Sequence, residues 1–179
     1  MTDAKSNRWV ALLRGMNIGG NRMSVTDLRR VCTALGFTDV RSYLASGNLV
    51  FQGAGQAEDI AETLHGALAA QGLTVPVLVL SGDTLRQTLT TCPFADAPGK
   101  RVHGLFCFAP PVIDTAALTR LKSATEALRV IDRTVWLYTP GGFGTSTLAA
   151  KIASVVTGTQ TTARNLTTIR ALVDLLDKP

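Results

Sequence analysis

Apolar and polar positions alternate along this chain in a pattern that changes period several times. Trp9-Val-Ala-Leu-Leu13 is unbroken and apolar, the mark of a buried strand. Ser24-Val-Thr-Asp27 then opens a segment with Val25, Leu28, Val31, Cys32 and Leu35 at helical spacing. Gly36-Phe37 predicts a Schellman stop with its hydrophobic contact. Val40–Leu44 and Leu49–Phe51 read as strands on either side of Ala45-Ser-Gly-Asn48, a hairpin signal. Ile60, Leu64 and Leu68 mark a second helix ending at Gly72, and Val75-Pro-Val-Leu-Val-Leu80 reads as a fourth strand. The order β-α-β-β-α-β is that of the ferredoxin-like split βαβ motif.

The pattern then partly recurs. Ser81 opens a helix near residues 83–90, and the Pro/Gly-containing stretch Cys92–Arg101 reads as a linker. Val102–Phe108 predicts a strand, Asp114 caps a helix containing Leu118 and Leu121, and Leu128–Ile131 pairs with Val135–Tyr138 across Asp132-Arg133. A helix over about 146–156 and a last one carrying Ile169, Leu172, Val173 and Leu176 complete the reading. The expected fold is α+β, two ferredoxin-like halves with antiparallel sheets. Residues 1–80 form the first half, 81–101 a helix and linker, and 102–179 a second half that ends in helices instead of a fourth strand.

Composition narrows the class. The 179 residues are 46% hydrophobic and 17% charged, which describes a folded globule. A net charge of +5 is compatible with anionic partners, but no Lys/Arg run forms a nucleic-acid arm. Three cysteines, Cys32, Cys92 and Cys107, stand far apart without C-x-x-C, and His65 and His103 keep no metal-ligand spacing. No metal and no cofactor are expected, and a reducing cytoplasm is the expected location. No stretch reaches the eighteen or so apolar residues of a membrane span.

The chemistry concentrates in Arg14-Gly-Met-Asn-Ile-Gly-Gly20. Three glycines in seven residues let the backbone approach a ligand closely or turn several N–H groups toward it. The loop is no P-loop, because Asn21-Arg22 replace the required Lys and Ser/Thr, and G-x-G-x-x-G is absent. What remains is a loop able to hold an anion on its amides, with Arg14 as a charge-assisted donor. In a ferredoxin-like sheet this loop and the turn Ser46-Gly47-Asn48 fall at the same end. Arg14, Gly15, Asn17, Gly19, Gly20, Ser46, Gly47 and Asn48 are therefore the expected ligand residues. Gly144-Thr-Ser-Thr147 and Asn165 read as helix caps, and Arg164 and Asn165 join the expected ligand residues, Arg164 as a second cationic donor to an anion near a helix start. No residue pattern assigns a catalytic step.

Leu13-Arg-Gly-Met-Asn-Ile-Gly-Gly20, Ser46-Gly-Asn-Leu-Val-Phe51, Cys92-Pro-Phe94, Gly144-Thr-Ser-Thr-Leu148 and Thr162-Ala-Arg-Asn165 together resemble a bacterial family, domain of unknown function 1697. That resemblance implies a two-part α+β fold of ferredoxin-like character and no particular activity. The chain departs from it at Cys92, Thr147 and Leu166-Thr167, where similar proteins carry Asn, Lys and Trp-Asn. The expected function is binding of a small anionic molecule. The alternatives are single-stranded nucleic-acid binding on an exposed sheet face, as in RNA-binding sheets, and a structural or interaction role.

Overall fold

A computed structural model describes residues 7–45 and 47–179. The chain divides into two compact units, Met1–Gln87 with Arg170–Pro179, and Thr88–Ile169.

In the first unit β1 (Arg8–Leu13) leads to α1 (Val25–Ala34), β2 (Thr38–Ser42), β3 (Asn48–Gln52), α2 (Ala57–Ala70) and β4 (Val77–Ser81). The strands lie in the order β2-β3-β1-β4 and every neighbouring pair is antiparallel, the expected split βαβ arrangement. One sheet face presents Trp9, Ala11, Leu13, Leu49, Phe51, Val77 and Val79 to Leu28 and Cys32 of α1 and to Ile60, Leu64 and Leu68 of α2. Full burial of one such leucine contributes about 1.5–3 kcal/mol. The opposite face is covered as well, since Val10, Leu12 and Val50 are at most 2% exposed. Burial on both faces explains why β1 is an unbroken apolar run without period-two alternation.

Local signals set the helix ends. The Ser24 hydroxyl accepts from the Asp27 amide at 3.0 Å, and α1 stops in a Schellman pair, Phe37 N–H to Cys32 O and Gly36 N–H to Thr33 O. Residues 170–179 return to this unit. Arg8 donates to the carbonyls of Leu176 and Lys178, Arg41 reaches the main-chain oxygen of Pro179 at 2.7 Å, and Arg86 pairs with Asp177.

After α3 (Gly82–Thr90), the second sheet is built from β5 (Val102–Cys107), β7 (Ala127–Ile131), β8 (Thr134–Tyr138) and β10 (Thr161–Asn165). The short strands β6 (Val112–Ile113) and β9 (Val156–Thr157) pair with each other, and α4 (Thr115–Leu121), α5 (Thr147–Ala150) and α6 (Leu166–Asp177) complete the chain. The order β10-β5-β8-β7 repeats that of the first sheet, again antiparallel throughout. Leu105, Cys107, Val135 and Leu137 face one core, while Val102, Phe106 and Trp136 are buried on the other side of the sheet.

Two readings need correction. The second half has a fourth strand, β10, where helices were expected to replace it. Thr161-Thr-Ala-Arg-Asn165 carries no apolar alternation, so only its β-branched threonines marked it as a strand. The helix expected over about 146–156 is broken into α5, a 3-10 turn at Ile152–Ser154 and β9. The β-branched run Val155-Val156-Thr157 favours the strand. Among the described residues, no helix is long and apolar enough to cross a membrane.

Candidate anion-binding site

Three connections converge at one end of the first sheet. Leu13 N–H donates to the Gly47 carbonyl at 2.9 Å, joining the end of β1 to the β2–β3 turn. Arg14 N–H donates to the Pro76 carbonyl at 2.9 Å, joining it to the approach to β4. The Asn17 carboxamide donates to the Ala45 carbonyl across the same gap. The glycine loop and the β2–β3 turn thus meet as the topology predicted.

Gly47 is the packing element that brings them so close. Its φ is +73°, and a Cβ there would stand 2.7 Å from Leu13 Cβ and 3.2 Å from Met16 Cβ and Sδ. Met16, 4% exposed, is the apolar plug beneath the loop. The loop itself alternates in handedness: Gly15, Asn17 and Gly19 have φ of +72°, +61° and +61°, while Met16 and Ile18 between them keep negative φ. In an anion nest, alternation of this kind turns successive amides toward one concave point. Asn17 N–H closes on Asn21 O and Ile18 N–H on Gly15 O. Among the described residues, the amides of Gly15, Met16, Gly19 and Gly20 carry no hydrogen bond. Arg14, at the root of the loop, is exposed.

The expected ligand residues fall into different settings. Arg14, Gly15, Asn17, Gly19 and Gly20 form the loop. Gly47 is buried beneath it, and Asn48 is fully buried with its carboxamide donating to Tyr43 O at 3.0 Å, so Asn48 closes the turn. Ser46 lies outside the described residues. Arg164 and Asn165 belong to the second unit. The Arg164 guanidinium is buried and donates to Thr162 Oγ1 and the Ala163 carbonyl, both at 2.8 Å, and burial pulls its pKa down to about 10. Asn165 caps α6, its Oδ1 accepting from Thr168 N–H at 2.8 Å.

Sequence reasoning missed the cavity beside the loop. It measures about 610 Å³ and is lined by Arg22, Met23, Ser24, Asp27, Arg30, Val31, Ala34 and Gln71. Only Arg22 carried a signal, as the cation two residues beyond Gly20, and it entered solely as a mismatch to the P-loop. Arg30 pairs with Asp27, and the Ser24 hydroxyl donates to the same carboxylate at 2.6 Å. Arg22 forms no ion pair among the described residues.

The second unit has a smaller cleft of about 290 Å³, bounded by Lys122, Glu126, Gly141, Gly142 and Thr145–Thr147. Desolvation pushes the Glu126 pKa up, but hydrogen bonds from Ser146 Oγ and the Ser123 amide outweigh it and hold the carboxyl below its usual range. Ser146 is at the same time the cap of α5, accepting from Ala149 N–H. His103 stacks on Phe143 with ring centroids 3.9 Å apart, its Nδ1 buried without a partner, and burial lowers its pKa to about 4. Among the described residues, no group of three or more His, Cys, Asp or Glu is placed to hold a metal.

Comparisons place this fold among known proteins. The conserved bacterial protein SP0830 from Streptococcus pneumoniae has a similar structure, with a TM-score of 0.75 at 23% identity over 96% of this chain and 99% of its own. No curated protein matches in sequence. A family model described as "Protein of unknown function (DUF1697)" matches residues 6–136, which include the glycine loop, the β2–β3 turn and Cys92-Pro-Phe94. With its characteristic loop and turn inside a match that spans most of its length, the chain belongs to the DUF1697 family.

Proposed function

We propose that the first unit binds a small anionic molecule through the loop Arg14–Gly20. The observation that carries this reading is the alternating handedness of residues 15–19, combined with four amides that make no hydrogen bond among the described residues. Arg14 supplies the positive charge, and the amides of Gly15, Met16, Gly19 and Gly20 supply fixed dipoles. The β2–β3 turn acts as a buttress, with Gly47 and Asn48 holding the loop from below. A cytoplasmic setting fits three buried cysteines that form no disulfide among the described residues.

Nucleic-acid binding on a sheet face is disfavoured by burial. Phe51 is 0% exposed within the helix-facing core, and Val10, Leu12 and Val50 are covered on the other side. Base stacking requires an exposed aromatic platform, and among the described residues the aromatic side chains of the first sheet, Trp9 and Phe51, are buried.

Titration with inorganic phosphate, sulfate and small carboxylates by isothermal calorimetry tests the reading. A charge-assisted hydrogen bond contributes about 1.5–3 kcal/mol, so Arg14→Ala weakens the preferred anion roughly 10- to 100-fold. Equal affinity in wild type and variant would overturn the site. For single-stranded oligonucleotides the expected outcome is weak binding that fades toward physiological salt, with log affinity falling by about 0.7 per phosphate contact for each tenfold rise in salt.

A further inference from the structure

We propose that the anion held by the loop is the phosphate of a nucleoside monophosphate, whose sugar and base lie in the cavity beside α1. This rests on the anion reading above and adds the class of ligand. Loop and cavity are continuous along the chain. Gly20 is followed by Asn21, whose carbonyl accepts from Asn17 N–H, and then by Arg22 and Met23, which already line the cavity. Two residues span at most about 7 Å, so a phosphate on the loop amides has the cavity directly beside it.

The volume argues against a bare anion. A space of about 610 Å³ lies within the roughly 300–1,000 Å³ of sites for organic ligands. Its lining is mixed in a specific way. Met23, Val31 and Ala34 give an apolar floor, and methionine adapts its shape to a flat ring. Gln71 offers a donor and an acceptor side by side, the pair that matches the N6/N7 edge of adenine. The helix start adds nothing to this, because the Ser24 hydroxyl and the Asp27 carboxylate already close it.

Charge points the same way. Asp27 is engaged by Arg30 and Ser24, whereas Arg22 has no carboxylate partner among the described residues. The cavity therefore keeps one positive charge in excess, at the end nearest the loop. A planar guanidinium there serves both the phosphate, by a forked hydrogen bond, and the ring, by stacking.

The experiment is calorimetric titration with AMP, adenosine and inorganic phosphate. Four proteins are compared: wild type, Arg14→Ala, Gln71→Ala and Ala34→Phe. Gln71 and Ala34 are exposed, so neither substitution disturbs the core. Wild type is expected to bind AMP at least 10-fold tighter than phosphate. Gln71→Ala and Ala34→Phe should each lower AMP affinity at least 5-fold and leave phosphate affinity unchanged, while Arg14→Ala lowers both. Equal affinities for AMP and phosphate, or AMP binding indifferent to both cavity variants, overturn the nucleotide assignment and leave the anion site standing. No binding of either compound overturns both.

Discussion

Replacing Gly47 with alanine separates backbone strain from crowding, because a second glycine provides the control. At Gly47 the added Cβ meets Leu13 Cβ at 2.7 Å and Met16 at 3.2 Å, whereas at Gly15 it meets nothing within 4 Å. The two positions share nearly the same φ, +73° and +72°. Each alanine therefore carries the left-handed penalty of about 1–2 kcal/mol. Only Gly47→Ala adds overpacking of about 1–3 kcal/mol, for a total of about 2–5 kcal/mol. For a chain of this size each kcal/mol lowers Tm by about 2–4 °C, so the extra loss is about 2–12 °C relative to Gly15→Ala. Differential scanning calorimetry of both variants reads the difference directly. Because the same contact presses the turn against the loop, Gly47→Ala should also weaken phosphate binding. If the two variants melt within about a degree of each other, the Gly47 contact with Leu13 and Met16 does not hold the loops together.

Other consequences are equally open to measurement. Asn165→Ala removes the cap of α6 and should destabilise the chain by about 0.5–2 kcal/mol, with Asn165→Asp restoring most of it in urea denaturation. His103 is held neutral by burial down to about pH 4, below its unfolded value of 6.5. The unfolded chain thus takes up a proton the folded one refuses, and stability falls as pH drops from about 6.5 to about 4, by about 1–3 kcal/mol after solvent screening. His103→Phe should flatten that acid limb in denaturation curves taken across the window, and an unchanged limb would refute it. Cys32 is fully buried with its thiol pushed up to about 12, so native protein should react slowly with a thiol reagent and rapidly only once unfolded.

What the sequence made legible followed from local rules. Ser24, Gly36-Phe37, Asp114 and Asp132-Arg133 each carry their structural instruction within a few residues, and each does as read. The order of strands in the first half then followed from topology alone. β10 escaped because Thr162 and Arg164 are buried by tertiary packing that no local pattern announces. Asn48 looked like a ligand group because a hairpin asparagine is normally solvated, yet here it is sealed against Tyr43 O. The cavity was invisible for a different reason. Arg22 and Gln71 lie 49 positions apart and share a wall only after the split βαβ fold has formed.

The first unit is discontinuous, and that has a consequence for how the protein is made. Arg8, Arg41 and Arg86 take carbonyl or carboxylate partners from residues 175–178 and from Pro179. Residues 88–169 are synthesised in between. At about 5–20 residues per second, Arg170 leaves the ribosome about 4–17 s after Gln87, long after four strands and two helices have had time to form. The nascent unit thus passes through a stage in which its sheet is built while these arginines still await their acceptors. The second unit, whose residues are consecutive, finishes first although it begins later, and order of synthesis and order of completion are reversed.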